Sequence, residues 1–224
     1  MSVCEDCKIK SAAAKVLNVE ELEHLGQNCA EVHFKNGETI LQQGALSSNI
    51  IYLQNGLAKI HISSNSKDQI IKISKAPLFI GVPTTLKDKI NQYSVTAIGQ
   101  ATVCFIDKNL FKRFIIENGE FAYEIIVDLC CSELDYFKIC LNRKQKNTTG
   151  RVADSLLFFA DKVYENDKFA LPLSRLEFGN FIDTSRENVC RILSEFVEID
   201  LISLNGKNVE IKNKKSLETI STHG

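Results

Sequence analysis

No stretch of the 224 residues approaches the roughly 18 to 20 consecutive apolar residues that a bilayer-spanning helix needs. The opening Met1-Ser2-Val3-Cys4-Glu5-Asp6 lacks the basic and then apolar run of a secretory signal. The sequence therefore predicts a cytoplasmic chain with no membrane partner. An excess of one charge sign is also missing. With 27 Lys and Arg against 28 Asp and Glu, the chain is not a global polycation, so any polyanion binding has to be local. The motifs that carry much of enzymology are absent too: no glycine-rich phosphate loop opens a helix, no His-Glu zinc helix occurs, and there is no nucleophile elbow. A protein that is not an enzyme is expected. What the chain does have is 44% hydrophobic residues, enough to fill real cores, which excludes disorder as the main state. Its eight cysteines read as reduced thiols in such a chain rather than as a disulfide framework.

Three regimes of hydrophobic period follow one another. Between Val32 and Ile106 the apolar residues come in short runs, 38–41, 50–53, 57–62, 69–73, 94–98 and 102–106, with Asn36-Gly37, Gln43-Gly44, Asn55-Gly56 and Ser63-Ser64-Asn65-Ser66 as turn-forming separators. Many short strands near ten-residue spacing predict a closed β-roll or jelly roll. From Lys108 the period becomes helical, and 121–147 holds neither Gly nor Pro. Ala122, Ile125, Ile126, Leu129, Leu134, Phe137 and Leu141 place one apolar stripe along a single helix. At about 1.5 Å per residue it would run about 40 Å, longer than a small domain needs, so part of it is expected to find a partner elsewhere. Lys138, Arg143, Lys144, Lys146 and Arg151 follow without an intervening acid, and 147–150 reads as a hinge. The expected division is 1–120, a β-roll with flanking helices; 121–147, the long helix and hinge; and 148–224.

The last regime is helical and ends in a hairpin. A helix is predicted over 151–164. Ser174-Arg175-Leu176-Glu177 is a capping box, and Thr184-Ser185-Arg186-Glu187 repeats the signal ten residues later. Two capped helices on a short turn make a helix-turn-helix. The alternating 201–204 and 209–211 around Asn205-Gly206 add a hairpin, completing a winged helix. The class is therefore α+β.

These residues carry a resemblance. The glycine and strand pattern of 37–44, 51–53 and 56–60 resembles a cyclic-nucleotide-binding-type β-roll. The run 173–179 followed by 184–193 closely resembles the helix-turn-helix of the cyclic-AMP receptor and fumarate-nitrate reduction regulator (Crp/Fnr) family of bacterial transcription factors. The order β-roll, long dimerisation helix, winged helix fits the same family over nearly the full length. The resemblance implies a homodimer joined through 121–147. It would read a palindromic, TGTGA- or TTGA-like site on double-stranded DNA, with RNA polymerase as a protein partner and an unknown small effector. Arg186, Glu187 and Arg191 match the family's base-contacting positions, and their chemistry suits it: Arg forks onto guanine and Glu accepts from cytosine. Ser174, Arg175, Ser185 and Asn188 would touch phosphate. On residue type alone, Arg186, Glu187 and Arg191 also fit a solvated helix face, with Glu187 as capping partner of Thr184. Residues 150–224 carry ten Lys and Arg against twelve Asp and Glu, so binding would rest on a local surface and fall steeply with salt.

At the sensing end the resemblance places an effector cassette over Gly81, Val82, Tyr93 and Ser94. The family's nucleotide receptors use a Glu and an Arg where this chain has Val82 and Tyr93, and a buried phosphate needs a fixed cation or a set of amides. Cyclic AMP is therefore not the expected effector. Cys4 and Cys7, with Cys104, resemble part of the iron–sulfur ligand set of the oxygen-sensing branch, but the third cysteine position holds Ala13, with Cys29 displaced from it. A cluster, a zinc or thiol-redox use of Cys4 and Cys7, and no ligand role all stay open. So does the alternative of a β-roll module with redox or iron–sulfur sensing and no strong DNA activity. The helical Cys130, Cys131, Cys140 and Cys190 read as packing thiols.

Overall fold

The computed structural model describes residues 10–64 and 67–224. The chain divides into two compact units at Glu133/Leu134. In chain order the first holds α1 (Ala12–Lys15), α2 (Val19–Gln27), β1 (Cys29–Phe34), β2 (Thr39–Leu41), β3 (Asn49–Ser64), β4 (Lys67–Lys75), β5 (Leu78–Ile80), α3 (Val82–Lys87), β6 (Ser94–Asp107), α4 (Lys108–Glu117) and the first half of α5 (Gly119–Gln145).

The strands form one antiparallel sheet ordered β1-β6-β3-β4, with β2 also on β6 and β5 also on β3. Side chains alternate across a strand, and here both faces are covered. Ile50, Tyr52, Cys104 and Ile106 pack with Leu22, Leu25, Phe111, Phe114, Phe121 and Ile125 of the helices. Ile51, Leu53, Ala58, Ile80, Val95, Ala97 and Val103 build the other core. Burial on both sides is why 50–53 reads as an unbroken apolar run rather than an alternating one. Phe121 joins α5 to this core, its ring centroid 5.4 Å from Phe111 and 5.9 Å from Phe114.

Two of the expected strand breaks are not breaks. Asn55-Gly56 is a bulge inside β3, where the register to β6 shifts on both sides of Asn55, and the Gly56 amide donates to Asn55 Oδ1 at 2.8 Å. Gly56 has φ +91°, and a Cβ there would lie 2.4 Å from the Gln100 carbonyl oxygen. A glycine between two apolar runs serves a turn or a bulge equally, and only pairing with a distant strand decides. Likewise 94–98 and 102–106 are one strand, β6.

The second unit, Leu134–Gly224, holds the rest of α5, then α6 (Thr148–Phe158), a π-helical turn (Phe159–Tyr164), β7 (Lys168–Ala170), α7 (Arg175–Ile182), α8 (Arg186–Glu198), β8 (Ile202–Asn205), β9 (Asn208–Ile211) and α9 (Lys214–His223). The helix expected over 151–164 thus changes winding at Phe159. That side chain is fully buried, its ring 6.1 Å from both Phe178 and Phe181. The expected hinge at 147–150 is a helix start: Asn147 Oδ1 accepts from the Gly150 amide at 2.9 Å. The hairpin closes through Gly206-Lys207, because Asn205 pairs with Asn208; glycine with φ +61° holds the first central position, as a type II′ turn requires. Helix α9 was not foreseen. Asn213 caps it through the Ser216 amide at 3.1 Å, and Leu217 is fully buried.

Candidate nucleic-acid interface

Helices α7 and α8 are each started by a serine. Ser174 Oγ accepts from the Glu177 amide at 3.2 Å while Glu177 Oε2 accepts from the Ser174 amide at 2.8 Å, a complete capping box. For α8 the cap is Ser185, one residue later than expected: its Oγ accepts from the Asn188 amide at 3.2 Å, and Thr184 Oγ1 instead accepts from Asn188 Nδ2 at 3.2 Å. Position three of α8 is Asn188, so Glu187 is not a capping partner of Thr184. Ser185→Ala is expected to destabilise this unit by about 1 kcal/mol, read as a lower denaturation midpoint; an unchanged midpoint would mean that the cap contributes nothing.

The turn between the helices is tight. Asp183 adopts φ +56°, and a Cβ on Gly179 would lie 2.7 Å from the Thr184 carbonyl oxygen. Two arginines of the expected basic stretch brace this turn. Arg143 Nη2 donates to the Phe181 carbonyl at 3.3 Å and Arg151 Nη2 to that of Asp183 at 3.4 Å, satisfying carbonyls at the end of α7. Lys146 bonds Asp154 Oδ1 at 2.6 Å, and Ser221 of α9 donates to the same oxygen at 2.9 Å. The stretch is therefore in large part structural, a role that its composition alone did not reveal.

On α8, Val189, Ile192, Leu193 and Phe196 face the core, which turns Arg186, Glu187 and Arg191 outward, all three exposed. Arg186 makes no ion pair among the described residues. The neighbouring Glu187 amide and Ser185 hydroxyl hold the Glu187 carboxyl below the usual range, so it is an ionised acceptor at neutral pH. Arg191 Nη1 pairs with Glu195 at 2.5 Å. Of the residues expected on phosphate, Ser174, Ser185 and Asn188 make the caps just described. Arg175 Nη2 donates to the Gly206 carbonyl at 2.9 Å, tying α7 to the wing tip, and burial lowers the pKa of its guanidinium.

At the sensing end, Gly81 (φ +91°) caps α3, and Val82 and Ser94 are buried. Burial raises the pKa of the Tyr93 hydroxyl, with the Thr84 side chain and the Gly81 backbone beside it acting the other way. Ser94 Oγ accepts from the Gln43 amide at 3.0 Å. The polar atoms of this set are thus engaged by the chain itself, and the set contains no cation; these residues do not fit a cyclic phosphate. Cys4 and Cys7 lie outside the described residues. Cys104 is buried in the helix-facing core, and no group of three metal-ligating side chains occurs among the described residues. No described helix is long and apolar enough to cross a membrane.

Comparison with known proteins agrees with both halves. Residues 150–220 match the Crp-like helix-turn-helix domain and residues 31–118 the cyclic nucleotide-binding domain. The nitrogen fixation regulation protein FixK of Bradyrhizobium diazoefficiens is 24% identical over 97% of this chain and 93% of its own. The transcriptional activator protein FnrA of Stutzerimonas stutzeri is 21% identical over 93% and 88%. The solved structure of FixK2 from Bradyrhizobium japonicum superposes with a TM-score of 0.76 at 18% identity, covering 86% of this chain and 96% of that one.

Proposed function

The chain belongs to the Crp/Fnr family of DNA-binding transcription regulators, and on that premise we propose that it acts in the cytoplasm as a homodimer that reads a palindromic TGTGA- or TTGA-like site without cyclic AMP. The observation that carries this reading is the capped α7–α8 pair, with Arg186, Glu187 and Arg191 outward on the first two turns of α8. A groove-inserted helix makes its closest approach to base edges there. Arg186 and Arg191 take guanines and Glu187 accepts from cytosine. Ser174, Arg175, Ser185 and Asn188 set the register on phosphate, with the Ser hydroxyls exchanging their present partners.

Helix α5 supports the dimer. Its apolar side chains Tyr123, Ile126, Phe137 and Leu141 are 64, 57, 52 and 53% exposed in the single chain. A second copy seated along residues 121–147 covers them and sets two recognition helices about 34 Å apart. Promoter-bound, such a dimer meets RNA polymerase. Any effector acts by shifting the population between dimer arrangements.

Selection of random duplex DNA by the purified protein, with no small molecule added and in parallel with and without oxygen, tests the reading. Enrichment of a two-fold symmetric site in both arms is expected. Enrichment only without oxygen would restore a cysteine-based sensor, and none in either arm would overturn effector-independent reading. Because the cassette holds no cation and Tyr93 is buried where the family's nucleotide receptors place an Arg, cyclic AMP at millimolar concentration should leave the melting temperature unchanged. A ligand at 100 times its Kd would add about 2.7 kcal/mol, so a clear upward shift would refute cyclic-AMP independence.

A further inference from the structure

The ridge of α8 that includes Arg191 reads Glu187, Arg191, Glu195 at four-residue steps, which places the guanidinium between two carboxylates on one face. The two acids differ in state. Glu187 makes no ion pair among the described residues, whereas Glu195 is paired with Arg191 at 2.5 Å. Arg preceding Glu at this spacing is the less favourable order for helix stability, and a pair this exposed adds little to folding. A carboxylate beside a base-reading arginine also opposes approach to phosphate. The pair therefore makes little sense as a stabiliser, and its cost to phosphate binding calls for another account.

Several other cations of the second unit are also committed to the chain itself. Lys168 pairs with Glu210, Lys212 with Asp200, and Lys214 with Asp161 and Asp167, while Arg143 and Arg151 serve backbone carbonyls. Non-specific DNA binding is a cation-to-phosphate term, and here it is curtailed. Discrimination is a difference between two affinities and rises when the wrong partner is penalised.

We propose that Glu195 is a specificity-determining residue: it holds Arg191 in an intrahelical ion pair that DNA has to displace, so that phosphate alone is a poor exchange and a guanine edge offering two acceptors is a good one. This rests on the proposed base-reading role of Arg191. Non-specific duplex leaves the Glu195 carboxylate facing phosphate. At the cognate site Arg191 gains a bidentate contact that replaces the one it gives up.

The test uses the full chain with three duplexes, the selected site, that site with the guanine facing Arg191 replaced, and a random sequence, across a salt series. Glu195→Gln should tighten binding to the random duplex by about tenfold and to the selected site by less than about threefold, lowering the ratio between them. Its melting temperature should stay within about 2 °C. In an Arg191→Ala background, Glu195→Gln should leave that ratio unchanged. Equal tightening on all three duplexes, or a ratio change that persists without Arg191, overturns the proposal while leaving base reading intact. If Arg191→Ala itself removes no discrimination at any base pair, the base-reading role fails first, and this proposal fails with it.

Discussion

Gly179→Ala should loosen the second unit by roughly 2 to 3 kcal/mol, the upper part of the range for an overpacked site, and should abolish specific DNA binding at concentrations where the parent saturates. The added Cβ would sit 2.7 Å from the Thr184 carbonyl oxygen and 3.3 Å from the Ser185 carbonyl carbon. Both are backbone atoms, so no rotamer change relieves the contact, and α7 and α8 have to separate. Separation disturbs the amide of Thr184, which donates to the Gly179 carbonyl at 2.9 Å. It also displaces the Ser185 cap and, with it, the N-terminal turn of α8 that carries Arg186 and Glu187. Denaturation followed by a probe in this unit, together with DNA titration, checks both halves of the expectation. An unchanged midpoint with intact binding would mean that the α7–α8 turn is far more compliant than close packing allows.

Much of this geometry was legible in the sequence because its signals are local. A capping box occupies four residues, and the one that opens α7 is readable as it stands, whereas α8 is opened by a simple Ser185 cap in place of the box expected from Thr184 and Glu187. The shift has a simple cause: Thr184 and Ser185 are both competent caps, and the positive φ of Asp183 sets where the turn ends. What stayed hidden was non-local. Asn55-Gly56 looks the same in a bulge as in a turn, and the partner that decides, Gln100-Ala101, lies over forty residues away. Arg143 and Arg151 read as part of a basic run, since nothing in their neighbourhood announces carbonyls at Phe181 and Asp183. Composition likewise cannot show the Tyr93 hydroxyl buried beside Thr84 and the Gly81 backbone. The substitution of Tyr for a cation was visible, but not its partner. Helix α9 was missed for another reason: its cap, Asn213, closely follows the hairpin, and only Leu217 and Ser221 among its side chains are buried, a weak periodic signal.

Arg186→Ala and Arg191→Ala together should have the largest effect on recognition. Each is expected to cost about 1 to 3 kcal/mol at the cognate site and to relax one base position per half-site, so the pair should lose about 2 to 6 kcal/mol if the contacts are independent. The two singles should not behave alike. Arg186 makes no ion pair among the described residues, so its removal would take away the proposed base contact and a positive charge at once, lowering affinity for every duplex and reducing the salt slope. Arg191 is neutralised by Glu195 beforehand. Removing it leaves the Glu195 carboxylate unpaired on a ridge that also carries Glu187, so non-specific affinity should fall through repulsion as well as through the lost cation. Selection repeated with each variant should return the parent consensus with a different single position degenerate in each half-site. Should both variants return the parent consensus unchanged, α8 would still be a helix of a DNA-binding unit, but its sequence readout would belong to other residues, and the wing with Lys207 at its tip would become the element to mutate next.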